Sequence, residues 1–171
     1  MLVARDIMTP NPVTVQPDDP LGVAVERMRS RRCRRLPVVE GDRLVGIITD
    51  RDVRLALNSP LVLHERRSDR LLLEHVPVRA CMTPDPITVS PDTPLIEVVR
   101  LMRDHKFGGV PVVEGDRLVG IITETDLMDL LIRLLEFGVD EIPWSRMRRP
   151  ERASAFPIPS GAPSSNASRR A

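Results

Sequence analysis

Two stretches of this chain carry side chains that could hold an anion beside a sugar. Gly46-Ile47-Ile48-Thr49-Asp50-Arg51-Asp52 and Gly120-Ile121-Ile122-Thr123-Glu124-Thr125-Asp126 each read as the end of a strand running into the start of a helix. Backbone N–H groups are open at such a junction, and the helix dipole favours negative charge there. The Thr49 and Thr123 hydroxyls could donate to a phosphate oxygen. The Asp52 and Asp126 carboxylates, acceptors only when ionised, could take two neighbouring sugar hydroxyls. The same spacing has a second reading. Thr-x-x-Asp before an apolar run is a capping box, with the Asp reaching back to the Thr N–H. The seven residues alone favour capping, the duplication of their context favours ligand binding, and an empty site can satisfy both.

The two stretches belong to a longer repeat. Val38 to Thr49 returns letter for letter as Val112 to Thr123, at an offset of 74 residues. At that offset Met8-Thr9-Pro10 matches Met82-Thr83-Pro84, and 28 of the 50 positions from Met8 to Leu57 are identical without a gap. One copy is small for an independent core. The repeat therefore predicts one body made of two packed copies related by a pseudo-twofold axis.

Each copy reads strand, helix, strand, strand, helix. Val13-Thr14-Val15 is β-branched and predicts a short strand. Asp19-Pro20 predicts a capped helix start. Leu21, Ala24, Val25 and Met28 then fall on one helical face. Leu36 to Val39 and Arg43 to Thr49 predict two strands around a Glu40-Gly41-Asp42 turn. Asp50 opens a closing helix. The second copy repeats these signals from Thr93-Pro94 onward. Its closing helix is longer, and Leu127, Met128, Leu130, Leu131, Ile132, Leu134 and Leu135 cover more than one face, so burial on more than one side is expected. Gly138 is a plausible stop. Asn58 to Arg70 is expected to be a surface loop, with a short helix at Leu71 to His75. Residues 143–171 are rich in Pro, Ser, Ala and Arg and are expected to be a disordered tail, with Trp144 near its start.

Composition narrows the function classes. The chain is 42% apolar with a formal net charge of +1, so no global field draws it to nucleic acid or to a membrane surface. Six arginines fall between Arg27 and Arg35, yet aromatic residues make up only 2%; a solvated helix face with one or two phosphate contacts fits better than a nucleic-acid patch. Cys33 and Cys81 match no metal or redox spacing. His64, His75 and His105 are scattered. No catalytic constellation stands out, and the expectation is a non-enzyme without metal or cofactor. No secretory or membrane-spanning run is evident, so the cytoplasm is the expected compartment. The copies differ where a phosphate needs cations: Arg34, Arg35 and Arg51 in the first face Gly108, Gly109 and Thr125 in the second.

The order Met-Thr-x-x-Pro-x-Thr-Val, helix, Leu-Pro-Val-Val, turn, Leu-Val-Gly-Ile-Ile-Thr-x-x-Asp, present twice, resembles a pair of CBS domains, a Bateman module of the short stand-alone bacterial type. The resemblance implies an α/β (α+β) fold: two tandem βαββα units, residues 3–58 and 77–135, packed about the pseudo-twofold axis. It implies clefts between the repeats that bind AMP, ADP, ATP or a related adenosyl ligand and control a partner protein in trans. It carries phosphate and ribose contacts onto Thr49, Asp52, Thr123 and Asp126, and phosphate contacts onto Arg34 and Arg35. It places the adenine near Thr9 to Val13 and Thr83 to Ile87, where Val13 and Ile87 read equally well as plain core. On this reading the clefts are unequal, the one nearer Arg35 and Arg51 taking the more highly charged nucleotide. The resemblance also favours a homodimer, with the effector protein unnamed. The alternative is a structural dimerisation module without a strong ligand, which the long apolar helix supports equally.

Overall fold

The computed structural model describes residues 2–57 and 66–137. The expected tail at 143–171, Trp144, the Gly138 stop, His64 and Ser59-Pro60 lie outside the described residues. Among the described residues the order is α1 (Ala4–Ile7), β1 (Thr9–Pro10), α2 (Leu21–Ser30), β2 (Arg35–Glu40), β3 (Arg43–Thr49), α3 (Asp50–Leu57), α4 (Arg66–His75), a 3-10 turn (Val78–Ala80), β4 (Thr83–Pro84), α5 (Leu95–His105), β5 (Gly109–Glu114), β6 (Arg117–Thr123) and α6 (Glu124–Phe137).

The α/β fold of two repeats holds. β2–β3 and β5–β6 are hairpins whose registers match at the 74-residue offset: Arg35 lies opposite Thr49 as Gly109 lies opposite Thr123. Gly41 and Gly115 turn the hairpins at φ +63° and +61°, a region that L side chains rarely adopt. The hairpins meet at β3 and β6. There the Leu44 N–H donates to Asp116 O and the Leu118 N–H to Asp42 O, both at 3.0 Å. Those two exchanged bonds mark the pseudo-twofold axis.

The leading strands are exchanged. β1, from the first copy, pairs antiparallel with β6 of the second; β4, from the second copy, pairs with β3 of the first. The cores follow the same exchange. Val89, Leu95, Val98, Met102, Val110, Val112 and Ile122 are joined by Ala4 and Ile7 from the chain's start. Val15, Leu21, Ala24, Met28, Leu36, Val38, Ile48 and Val53 are joined by Val78. Each fully buried aliphatic side chain contributes about 1.5–3 kcal/mol. Sequence copy and packing unit therefore differ: each unit is sealed by the other copy's lead-in.

Gly46 and Gly120 make that exchange possible. A Cβ at Gly46 would stand 3.1 Å from Thr83 O and against the Met82 side chain; one at Gly120 would stand 3.2 Å from Thr9 O and against Met8. The crossing strands need the missing side chain.

Three local expectations are corrected. The strand at Val13–Val15 reduces to one parallel bridge, Val15 to Val38, because Pro10, Pro12 and Pro17 leave little backbone to pair. Asp19 does not cap α2, which starts at Leu21 with Pro20 at its N-cap; its carboxylate instead accepts the Gln16 N–H at 2.9 Å and closes a turn. Thr93 does the same for the Ser90 N–H at 3.0 Å. Finally, the expected loop up to Arg70 is helical from Arg66. α4 packs on α2 at Gly22, where a Cβ would stand 3.1 Å from Leu73 O.

Candidate ligand site at the two Thr–Asp junctions

Thr49 ends β3 and Asp52 lies in the first turn of α3. The Asp52 Oδ2 accepts the Thr49 N–H at 2.8 Å and the Thr49 hydroxyl at 2.7 Å. Thr49 Oγ1 accepts the Asp52 N–H at 3.3 Å. At the second junction Asp126 Oδ2 accepts the Thr123 N–H and hydroxyl, both at 2.6 Å. The capping reading is therefore realised in both copies. It also fixes each carboxylate at the strand-to-helix turn, which is where the ligand reading needs it.

The exchanged strands add one group to each junction. Thr9 Oγ1 donates to Asp126 Oδ1 at 3.3 Å, so a hydroxyl from the first copy meets a carboxylate of the second. Thr83, on β4, lies opposite Ile47 in β3 and is exposed beside the first junction. Thr9 thus joins Thr123 and Asp126, while Thr83 stays on the strand beside the first junction, opposite Ile47. The environments differ: Asp126 is 3% exposed, whereas Asp52 is half-buried. Val13 is half-buried and packs against the first core, whereas Ile87 is 43% exposed and is not core.

The cations fall unevenly. Arg34 and Arg51 are exposed, and Arg34 O accepts the Asp50 N–H at 3.0 Å. Arg35 is half-buried. Its guanidinium lies over the backbone of Gly108 and Gly109; a Cβ at Gly109 would stand 2.8 Å from Arg35 Nη1. Burial lowers its pKa from the ordinary value; Glu124 and Asp50 oppose that, while Arg34 adds to it. The glycines that looked like missing cations are the seat of the first copy's arginine.

Cys81, which matches no metal or redox spacing in the sequence, is a neighbour of the first junction. It is half-buried beside Asp52, and burial first, then that carboxylate, raises its pKa. At the 74-residue offset it stands where the first copy has buried Ile7, a substitution that could have flagged it. Among the described residues no group of His, Cys, Asp and Glu could hold a metal ion. The His75 ring sits 3.0 Å from Leu71 O, and His105 stacks on Phe107.

The CBS domain profile matches residues 4–59 and 78–133. The chain belongs to the CBS-domain family. It is 41% identical over 138 residues to a CBS domain-containing protein of Dictyostelium discoideum, covering 79% of this chain and 94% of that one. Longer relatives are matched only in part, such as an inosine-5'-monophosphate dehydrogenase of Korarchaeum cryptofilum, of which the chain spans 22%. Among solved structures, CBSX2 in complex with AMP is similar at 28% identity and a TM-score of 0.66, with 78% of this chain and 99% of that one covered. The CBS domain pair of MJ0100, in complex with 5'-methylthioadenosine and S-adenosyl-L-methionine, is similar at 27% identity and the same TM-score, covering 78% and 98%. CBS repeats with adenosine-ligand neighbours thus describe this chain, and among its described residues no helix is long and apolar enough to cross a membrane.

Proposed function

We propose that this chain is a ligand-sensing regulatory module rather than an enzyme. It binds AMP, ADP, ATP or a related adenosyl compound in clefts between its repeats, taken as residues 3–58 and 77–135, and controls a partner protein in trans in the cytoplasm. The observation that carries the reading is the convergence of Thr9, Thr123 and Asp126 from two copies at one strand-to-helix turn. A carboxylate with two hydroxyls, fixed at the start of a helix, has the donors and acceptors that a ribose phosphate requires. The AMP and adenosyl complexes of similar CBS pairs support the same class of ligand.

On this reading the apo capping bonds are exchanged for ligand bonds. Ribose hydroxyls donate to Asp52 or Asp126, and the Thr49 or Thr123 hydroxyl turns from the carboxylate to a phosphate oxygen. Arg34, Arg35 and Arg51 supply positive charge, and the segments Thr9–Val13 and Thr83–Ile87 border the base. Each site joins both copies, so a ligand that fits one relative placement of the repeats better than another shifts the population toward it.

A second reading has its own support. α6 packs Leu127, Leu130 and Leu134 on the core but leaves Met128, Leu131, Ile132 and Leu135 exposed, the last at 78%. Such a stripe fits a homodimer interface, which serves the sensor and a pure dimerisation scaffold alike.

Thermal melting of the full chain against AMP, ADP, ATP, S-adenosyl-L-methionine and NADH separates the two. A ligand at about a hundred times its Kd adds about 2.7 kcal/mol, roughly 5–10 °C for a body this size. A shift with at least one of them supports the sensor. No shift with any supports the scaffold.

A further inference from the structure

We propose that the corner where α2 turns into β2 and α3 begins is a docking surface for a short acidic segment of another protein, held by Arg31, Arg32, Arg34 and Arg51. The inference goes beyond the ligand reading: Arg31 and Arg32 are not among the residues assigned to the nucleotide, and the surface needs no ligand in either cleft.

Backbone bonds build the corner. The Arg32 N–H donates to Arg29 O at 3.3 Å and the Cys33 N–H to Met28 O at 3.0 Å, which closes the end of α2 in a tight turn. Just beyond it, Arg34 O accepts the Asp50 N–H at 3.0 Å and holds the start of α3 against that turn. Arg31, Arg32, Arg34 and Arg51 are all exposed there. Among the described residues none of the four has an ion pair within 4 Å, whereas their neighbours Arg29 and Arg54 are paired with Glu26 and Asp50.

Local stability does not account for this charge. A helix C-terminus favours cations, so the dipole explains Arg31 and Arg32. It opposes Arg51, which stands in the first turn of α3, where anions are favoured. Arg32 also has φ +50°, the left-handed conformation in which glycine commonly ends a helix. Unpaired like charges gathered at one corner repel one another in the fold. An anionic partner relieves that repulsion.

The second copy builds the same corner without the charge. At the 74-residue offset it carries His105, Lys106, Gly108 and Thr125, and Lys106 repeats the turn at φ +56°. Residues 26–35 and 50–54 together have a net charge of +5, whereas 100–109 and 124–128 have a net charge of 0. The backbone therefore does not require the arginines, and the patch belongs to the first copy alone.

The same balance selects the partner. The chain as a whole is at +1, so everything outside the corner sums to −4. A long polyanion running past the corner meets that opposing charge, while a short acidic segment ends on the arginines. Neither 26–35 nor 50–54 holds an aromatic residue on which bases could stack. Guanidinium groups pair with carboxylates through two parallel N–H donors. Six extended residues reach about 20 Å, enough to pass one turn and one helix start.

The test uses the full chain with fluorescein-labelled hexaglutamate, and with hexaserine and hexathymidylate labelled alike. Hexaglutamate should bind and should weaken as salt is raised, and hexaserine should not bind. Arg31→Glu with Arg32→Glu should weaken hexaglutamate about 10-fold or more. Arg103→Glu with Lys106→Glu makes the same charge change on the second copy and should change it less than about 2-fold. Arg51→Glu should also weaken it, and that loss cannot come from unfolding, because an acidic residue in the first turn favours α3. The proposal is overturned if hexaglutamate does not bind, if the two double variants weaken it equally, if Arg51→Glu leaves it unchanged, or if hexathymidylate binds more tightly, which would make the corner a nucleic-acid surface. None of these outcomes bears on nucleotide binding at the Thr–Asp junctions.

Discussion

Thr9 and Asp126 are 117 residues apart in the chain, yet the hydroxyl of one lies 3.3 Å from the carboxylate of the other. That bond links the first copy's leading strand to the second copy's closing helix. It also makes the two Thr–Asp junctions unequal, since no bond from Thr83 to Asp52 matches it among the described residues. Asp126 is consequently sealed while Asp52 stays half open.

The two carboxylates should therefore differ in what they contribute to stability. Asp126→Ala removes the acceptor of the half-buried Thr123 N–H and hydroxyl, at a carboxylate only 3% exposed, and should cost about 3 kcal/mol. Asp52→Ala removes a partly solvated cap and should cost about 1–2 kcal/mol. Urea unfolding of both variants checks the order, and a larger loss at Asp52 would contradict the burial argument.

Gly120→Ala should destabilise by about 1–3 kcal/mol, because the new Cβ is forced against Met8 and Thr9 O. Hydrogen exchange would then rise first in the N-terminal residues that β6 holds. Gly46→Ala should do the same to the residues around Met82.

Cys81 gives a pH dependence with a definite sign. Its thiol has a raised pKa in the fold, the ordinary value being 9.0. The fold thus holds that proton more tightly than the unfolded chain does, so its contribution is full below about pH 9 and is lost as pH rises through the higher folded value. Alkylation at pH 8.5 should be slower in the folded protein than in urea. Asp52→Asn should speed it, because the carboxylate opposes the thiolate. Equal rates for Asp52→Asn and the unaltered chain would remove Asp52 as a cause.

The exposed stripe on α6 predicts self-association. Ile132→Glu with Leu135→Glu should convert a dimer to a monomer in sedimentation, with the secondary structure retained, since neither side chain belongs to the core. A monomeric unaltered chain would contradict the homodimer.

Much of this was legible in the chain. Repetition at a fixed offset located both hairpins, both closing helices and both Thr–Asp junctions, because each is encoded locally by turn residues and apolar periodicity. The exchange of β1 and β4 was not. A strand of two residues carries no periodicity, and its partner is chosen by which groove is open, here the one left by Gly46 and Gly120. The first turn of α4 was missed for a related reason: Arg66 to Arg70 has no apolar spacing, and its visible support is the Arg70–Glu74 pair at 2.7 Å and the packing on Gly22. In the sequence the Gly108–Gly109 pair stands as missing charge, because a chain read in order cannot tell whose side chain will fill a gap.

The central claim is that an adenosine-type ligand binds at the Thr–Asp junctions, and calorimetric titration of AMP tests it most directly. The unaltered chain should bind AMP, and Asp52→Asn and Asp126→Asn should each remove the site at its own junction while the other remains. Binding that survives in the double variant, or no binding to the unaltered chain by AMP or any of the other adenosyl compounds named above, would contradict the account.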